Sequence, residues 1–237
     1  TEALTVAETL APPDHPAYPN VQRGGSMPAF DRRRGRDLLI QRGWEDQDRD
    51  GIREAEDVPE ITDGTPLSLT LHFPTQSFVT AAHIAEDLKG CGLGVALAPT
   101  DVRRLFAVSA ESPLFSRTFE MALLGWQAEV PGICGSWLSD RIPMETGAWI
   151  GENFSGYSSE AYDQACVRAL STLDPQDQAL ALQQAQQALA EDLPSLLLAW
   201  RPFWFIARPE VRGIRPDASA YGTLWNSEAL YKATGME

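Results

Sequence analysis

Three aspartates at alternate positions form the part of the sequence whose spacing most resembles a metal-binding loop. They are Asp46, Asp48 and Asp50. Gly51 follows them, as in the first half of a calcium-binding loop. Such a loop also needs an apolar residue at its eighth position and a glutamate at its twelfth, where this chain has Arg53 and Asp57. We therefore interpret the segment as an acidic surface turn, with structural calcium as the weaker alternative, and we expect no other metal and no cofactor.

The usual motifs of catalytic sites are absent from the sequence. It contains no nucleophile elbow, no phosphate-binding loop and no H-E-x-x-H zinc motif. The histidines, His15, His72 and His83, fall in different predicted elements, and His72 is expected on the outward side of a strand. Because the chain has 33 acidic residues, a pair of carboxylates carries no information about glycoside hydrolysis. We therefore predict that the protein is not an enzyme, and keep a hydrolase with an unrecognised acidic site as an alternative.

The balance of charge excludes two classes of partner. The 237 residues include 19 Lys and Arg against 33 Asp and Glu, a formal net charge of −14. A protein that binds nucleic acid needs a basic surface to displace counterions from phosphates. This composition therefore argues against nucleic acid and against adhesion to an anionic membrane. Hydrophobic residues make up 43% of the chain, which is enough for a folded core.

The middle of the chain alternates between strand and helix patterns. Residues 67–73 alternate apolar and polar side chains, and residues 78–88 follow with helical spacing. A strand is expected at 95–97, a short helix at 101–108 and another strand at 119–126. This order predicts an α/β domain in which helices pack on a sheet.

Two further helices have recognisable ends. An apolar stripe marks the first, formed by Tyr162, Ala165, Cys166, Ala169, Leu170 and Leu173. Ser158 or Ser159 can cap its start. The second begins with Asp174 as the cap and Pro175 at the first helical position, and must end before Pro194.

Seven segments in the same order resemble one protein family. They are 37–44, 48–54, 65–71, 87–93, 119–126, 153–163 and 191–194 with 224–226. The most specific of them runs from Asn153 to Asp163 and resembles the family's N-x-x-G-Y-x-N-P-x-Y-D pattern, with Gly156, Tyr157 and Tyr162 at matching places. Together the segments resemble the family-5 extracellular solute-binding proteins of ABC transporters, the oligopeptide and dipeptide-binding group.

The resemblance implies a fold and a division of the chain. The expected fold is α/β, a periplasmic binding protein type II-like lobe with a mixed sheet flanked by helices. Residues 1–31 would be an irregular, proline-rich lead-in or hinge segment, and 32–207 the C-terminal lobe of a two-lobed protein. Residues 208–237 would return toward an N-terminal lobe that this chain, about half the length of family members, does not include.

The resemblance also implies a function. A two-lobed clamp would capture a peptide or other small solute outside the cell or in the periplasm, and deliver it to an ABC transporter permease. We expect a monomer, and a lipid anchor through the missing N-terminus is one way in which it would be attached to a membrane. A ligand-sensing receptor domain with the same fold is an alternative.

Four residues are candidates for ligand binding because of their places in the resemblance. Glu129 stands where relatives carry an aspartate that pairs with the α-amino group of a peptide, and Trp126 could form a wall of the side-chain pocket. Asn153 and Tyr157 could line the cleft. The alternatives are a solvated acid for Glu129, a core residue for Trp126 and loop-anchoring hydrogen bonds for Asn153 and Tyr157.

The three cysteines allow at most one disulfide within the chain. Cys166 lies on the apolar stripe of its helix, and Cys134 lies in a loop that can bend toward it. An extracellular location, implied by the resemblance, would let a Cys134–Cys166 bond persist. Cys91 would then be a free, buried thiol, and three unpaired cysteines remain the alternative.

Overall fold

The computed structural model describes residues 5–12, 17–25, 27–125, 134–200, 206–215 and 224–233. These divide into two compact units. The sheet unit consists of Ala29–Gly125 and Ile142–Gly156. The helical unit consists of the described parts of Thr1–Pro28, Trp126–Arg141 and Tyr157–Glu237.

The described residues form short strands and six helices, numbered in chain order. The helices are α1 (Tyr18–Val21), α2 (Arg32–Gln41), α3 (Phe78–Lys89), α4 (Val102–Leu105), α5 (Glu160–Ser171) and α6 (Pro175–Asp192). The strands are β1 (Thr5–Val6), β2 (Trp44–Glu45), β3 (Glu54–Ala55), β4 (Ser68–Pro74), β5 (Gly94–Thr100), β6 (Met121–Ala122), β7 (Ala199–Trp200), β8 (Val211–Arg212) and β9 (Tyr231–Lys232). None of these helices combines the length and the apolar character needed to cross a membrane.

The sheet unit is built around three parallel strands in the order β5-β4-β6. The central strand β4 places Leu71 opposite both Leu97 and Met121. On one face of the sheet Leu71 and Phe73 pack with Ala81 of α3. Because side chains alternate between the faces of a strand, Ala122 belongs to a second cluster centred on buried residues of the segment after β5. The sheet is therefore covered by apolar side chains on both faces, as parallel sheets require.

Helix α2 and the β2–β3 hairpin lie at the start of the sheet unit. The Asp31 carboxylate caps α2 by accepting the backbone N–H of Arg34. None of the residues of α2 is buried, and Leu38 and Ile40 are both about half exposed. Gly43 ends the helix in the left-handed region with φ +82°, where its carbonyl accepts the N–H of Glu56.

The helical unit is organised by the hairpin of α5 and α6. Ser159 caps α5 and Asp174 caps α6, each side chain accepting backbone N–H groups of the first turn. Its core joins apolar residues from three separate parts of the chain, and includes Leu10, Trp137 and Leu189. Contacts between distant parts of the sequence therefore hold this unit together.

A buried glutamine links the first residues of the chain to α6. The side chain of Gln186 is fully buried. Its Oε1 accepts the backbone N–H of Leu10 at 2.8 Å, and its Nε2 donates to the carbonyl of Gly25 at 3.0 Å. Both polar atoms of the buried amide are thus hydrogen-bonded to backbone groups, as buried polar side chains require.

The structure confirms the α/β fold class and corrects several details. The described three-stranded sheet is parallel throughout, and antiparallel pairing occurs in separate two-stranded sheets and in an isolated bridge between Glu54 and Pro66. The apolar stripe of α5 is buried only as far as Ala169. Leu170 is 39% exposed and Leu173 is 99% exposed, so the last two members of the predicted stripe are wrong as core residues. Cys91 is only half-buried.

Candidate functional site

The carboxyl edge of the sheet is the candidate site. We define it by the ends of the three parallel strands, at Pro74 in β4, Thr100 in β5 and Ala122 in β6. Open α/β sheets bind ligands at this edge, because the chain leaves every parallel strand there and the connecting loops converge. The backbone N–H of Leu123 still donates to the carbonyl of His72 at 2.8 Å, so the chain stays paired one residue beyond β6.

The segment with two of the predicted ligand-binding residues begins at this edge. Leu124 packs in the second apolar cluster and Gly125 is the last described residue before the gap. Trp126 and Glu129 follow immediately and lie outside the described residues. Their roles therefore stay predictions, but the point from which their segment departs is the carboxyl end of β6.

A histidine and a threonine form a polar pair at the same edge. Nδ1 of His72 lies 3.5 Å from Oγ1 of Thr100, and this hydroxyl donates to the carbonyl of Ala98 at 3.1 Å. The hydroxyl oxygen can therefore accept from the imidazole. The sequence pattern predicted His72 on an outward face, whereas the side chain is half-buried. Sequence reasoning missed Thr100, although its place at the end of a strand was a usable signal.

Asn153 is buried and bonded within its own loop. It is 1% exposed, and its Oδ1 accepts the hydroxyl of Ser155 at 2.9 Å. Its carbonyl accepts the N–H of Gly156 at 3.2 Å. Gly156 has φ +69°, a left-handed conformation that favours glycine, and a Cβ there would lie 3.0 Å from a guanidinium nitrogen of Arg117. These contacts fix the loop, and a role for Asn153 in lining a cleft stays a prediction.

Tyr157 is held by the end of α6. Its hydroxyl donates to the Asp192 carboxylate at 2.6 Å, and its ring meets that of Tyr162 edge to face with centroids 5.4 Å apart. Partial burial, followed by the hydrogen bond to Asp192, raises the pKa of Tyr157 to about 12. The hydroxyl therefore stays protonated at physiological pH and acts as a donor. Tyr157 belongs to the helical unit and Asn153 to the sheet unit.

A disulfide holds the residue that follows the undescribed segment. Cys134 and Cys166 are bonded, with their Cα atoms 5.8 Å apart, and both are fully buried. The buried hydroxyl of Tyr162 donates to the carbonyl of Cys134 at 2.8 Å. The segment with Trp126 and Glu129 therefore ends at a residue attached to α5 by a covalent bond and a hydrogen bond.

Helix α5 also binds the turn at Ser139, which follows Cys134. The Asp163 carboxylate accepts the backbone N–H of Ser139 at 3.0 Å and also its hydroxyl. Asp163 is the last residue of the segment whose pattern carries the family resemblance. In the structure the described residues of that pattern cap α5, anchor loops and support Cys134, which is a positioning role.

The acidic turn that contains Asp46, Asp48 and Asp50 is compact. Carboxylate oxygens of all three aspartates lie within 4.8 Å of one another, and all three residues are exposed. Asp46, Asp48 and Asp50 each accept one backbone N–H within the turn, at 3.2, 3.0 and 2.7 Å. The turn is therefore stabilised by hydrogen bonds to its own backbone, and structural calcium stays the weaker prediction.

No protein-family model and no curated protein matches the chain, but several solved structures have a similar fold. The oligopeptide-binding protein of Thermus thermophilus, complexed with a pentapeptide, is similar with a TM-score of 0.75, 22% identity and 91% coverage of this chain. AppA, an oligopeptide-binding protein from Bacillus subtilis in complex with a nonapeptide, has a TM-score of 0.68, 19% identity and 98% coverage of this chain. A periplasmic oligopeptide-binding protein from Thermotoga maritima with bound mannohexaose has a TM-score of 0.68, 21% identity and 94% coverage of this chain.

The comparisons cover nearly all of this chain but only part of each neighbour. The chain spans 36%, 43% and 42% of those three structures, in the same order. All three are named for binding and none for catalysis. Over most of its length the chain therefore has the fold of part of the oligopeptide-binding proteins of ABC transporters, of the periplasmic binding protein type II class.

Proposed function

We propose that this chain forms part of a binding protein that captures a solute for import by an ABC transporter. The observation that carries the proposal is the departure of the segment with Trp126 and Glu129 from the carboxyl edge of the sheet, directly beside the central strand β4. That edge is where α/β sheets bind ligands. The likeness to three oligopeptide-binding proteins over 91% or more of this chain supports the same function.

The solute that we propose is a peptide with a free amino terminus. A carboxylate at a site from which water is largely excluded binds an ammonium group by charge-assisted hydrogen bonds. Glu129 would provide this carboxylate, and Trp126 would provide an apolar wall for a side chain. Two of the similar structures hold a pentapeptide and a nonapeptide, and a third holds a sugar, so the choice of peptide rests on Glu129.

The proposal is one of binding without catalysis. No bond of the solute is made or broken, and no metal or cofactor takes part. The partner would be the permease of the transporter, the location extracellular or periplasmic, and the protein a monomer. A disulfide between two buried cysteines supports an oxidising compartment, because such bonds are rare in the cytosol.

A substitution in the full-length protein tests the peptide anchor. Glu129→Gln keeps the size of the side chain but removes its charge, so affinity for a peptide should fall by about 10-fold to 100-fold. Glu145→Gln is the matched control, because Glu145 is an exposed acid of the sheet unit with no role in the proposal. Isothermal titration calorimetry measures both, and equal affinity of the Glu129→Gln variant and the wild type would contradict the anchor.

The ligand itself can be identified independently of any variant. Mass spectrometry of small molecules that co-purify with the full-length protein should find peptides. Calorimetry of this chain alone should show weak binding, because a solute needs most of its surface covered and the chain spans only about two fifths of the similar structures. Micromolar binding by the chain alone would contradict a clamp that needs both lobes.

A further inference from the structure

A cavity of about 280 Å³ lies in the sheet unit, and none of the residues that define the carboxyl edge lines it. Three cationic side chains line it, those of Arg36 in α2, Arg53 before β3 and Lys89 at the end of α3. The turn 90–92 closes one side, and Asp46 with Gly51 completes the lining. Asp46 is the one carboxylate of the lining, and carboxylate oxygens of Asp48 and Asp50 lie within 4.8 Å of its own.

Arg53 is fixed in this cavity by bonds to the backbone. Its Nε donates to the carbonyl of Cys91 and its Nη1 to the carbonyl of Trp44, both at 2.9 Å. Its own backbone N–H donates to the carbonyl of Gly92 at 2.9 Å. A Cβ on Gly92 would lie 2.7 Å from Cγ of Arg53, so this glycine, at φ +96°, lets the turn pass close to the side chain. The guanidinium is therefore held in place before any ligand arrives.

The lining cations have unused hydrogen-bond donors. A guanidinium has five N–H groups, and the two bonds above leave three of those of Arg53 available. Within the described ranges the ion pairs join Arg32 to Asp87 and Arg168 to Asp177, so none of the three lining cations belongs to one. Arg36 and Lys89 are exposed at the rim and can turn toward a ligand.

The backbone N–H groups of the turn that lines the cavity are already occupied. The N–H groups of Cys91 and Gly92 donate to carbonyls at the end of α3, both at 2.9 Å. One carboxylate oxygen of Asp46 accepts the N–H of Gly51 at 3.2 Å. The neighbouring acids of the turn, Asp48 and Asp50, do not line the cavity. A ligand here would therefore meet mainly N–H donors of cationic side chains.

We propose that this cavity binds a phosphate group, with Arg53 as the fixed donor and Arg36 and Lys89 as the mobile ones. A phosphate dianion offers several acceptor oxygens, and these match the planar fork of arginine and the ammonium group of lysine. The source is either free phosphate or a phosphate monoester on a lipid headgroup. This site is separate from the carboxyl edge of the sheet and does not depend on the proposed capture of a solute.

The first experiment measures inorganic phosphate binding to this chain by isothermal titration calorimetry at constant ionic strength. Arg36→Gln and Lys89→Gln should each weaken binding about 10-fold. Arg33→Gln is the matched control, because it removes the same charge from an exposed position of α2 outside the cavity. It should change affinity by less than about 2-fold, because charges beyond the contact distance are screened by salt.

The second experiment distinguishes the two sources of phosphate. Phosphatidylcholine vesicles with and without phosphatidic acid are sedimented with the wild type and the same variants. If inorganic phosphate binds in calorimetry and its affinity falls in Arg36→Gln and Lys89→Gln, the result supports the proposed site with free phosphate as the ligand. Sedimentation with phosphatidic acid that is lost in Arg36→Gln and kept in Arg33→Gln supports the site and a lipid headgroup.

Two outcomes would overturn the proposal. One is the absence of binding to both probes, which would leave Lys89 as a cation that offsets the negative end of the α3 dipole. The other is an equal loss in the Arg33→Gln and Arg36→Gln variants, which would show general attraction to a basic helix. Because Arg53 supports two backbone carbonyls, its substitution could unfold the turn, and the tests therefore use the two rim residues.

Discussion

Removal of the Cys134–Cys166 disulfide should lower the free energy of unfolding by about 3.7 kcal/mol. The two cysteines are 32 residues apart in the sequence. For a loop of that length, the chain-entropy relation gives about 12 cal/mol/K of entropy withheld from the unfolded chain, which is about 3.7 kcal/mol at 25 °C. In a protein of this size such a loss corresponds to a fall in Tm of about 7–15 °C.

The assay compares urea unfolding of the wild type with that of a double variant, Cys134→Ala with Cys166→Ala. Because both side chains are fully buried, the double variant also loses some packing. Wild-type protein refolded in the presence of a reductant keeps every atom and isolates the effect of the bond. Cys91→Ala is the control, because this half-buried thiol lies outside the disulfide loop, and it should cost less than about 0.5 kcal/mol.

Two results would refute the reasoning on the disulfide. A loss below about 1 kcal/mol in both the double variant and the reduced wild type would mean that the bond does not constrain the unfolded chain as the relation requires. Peptide mapping without reduction that fails to find Cys134 linked to Cys166 would refute the pairing itself.

Three further predictions concern single side chains. Tyr157→Phe should reduce the dependence of folding stability on alkaline pH. The pKa of Tyr157 is raised from 10 to about 12 in the folded state, so its contribution to stability is full below pH 10 and is lost as pH rises through 12. Urea midpoints at pH 9 and pH 11.5 measure this loss, and an equal fall in midpoint for the variant and the wild type would contradict it. Gln186→Leu should cost about 1–3 kcal/mol in urea unfolding, because it leaves the buried backbone N–H of Leu10 without its bond, whereas exposed Gln187→Leu should cost less than about 0.5 kcal/mol. Calcium at about 1 mM should shift Tm of the wild type and of Asp48→Asn by less than about 1 °C, and a clear shift in the wild type alone would establish a calcium site.

Local signals predicted the helices well. The caps Ser159 and Asp174, the proline at the start of α6 and the stop before Pro194 all correspond to observed ends. Each signal acts through hydrogen bonds within one turn of the chain, so neighbouring residues suffice to define it. The strand-helix-strand order of β4, α3 and β5 was predicted for the same reason, since its periodicity is contained in each segment.

Features that depend on distant contacts were not predictable in this way. The apolar spacing of α5 continues to Leu173, yet the helix ends at Ser171, and Leu173 lies exposed in the connection to α6. The predicted strand at 119–126 is a two-residue strand in the described residues, because its length depends on pairing with β4. The boundaries predicted at residues 31 and 207 stay predictions. The two compact units divide the chain elsewhere, since their contacts join segments far apart in the sequence.

The candidate site was predictable in kind and less so in detail. The strand order implied a carboxyl edge, and the resemblance implied the segment after β6, but neither indicated the pairing of His72 with Thr100. That pair depends on the register of β4 against β5, which no single segment encodes. The roles of Asn153 and Tyr157 in bonds to their surroundings also depend on tertiary contacts.

The covalent connectivity of the chain has a consequence for its digestion by proteases. The bond between Cys134 and Cys166 closes a ring, and the ring contains Ile142–Gly156, a part of the sheet unit. Ile150, in that segment, is 74% exposed and offers a site for backbone cleavage. A single cut there would open the ring without releasing a fragment, because the disulfide would still join the two halves. The nicked protein would migrate as one species in a nonreducing gel and as two after reduction.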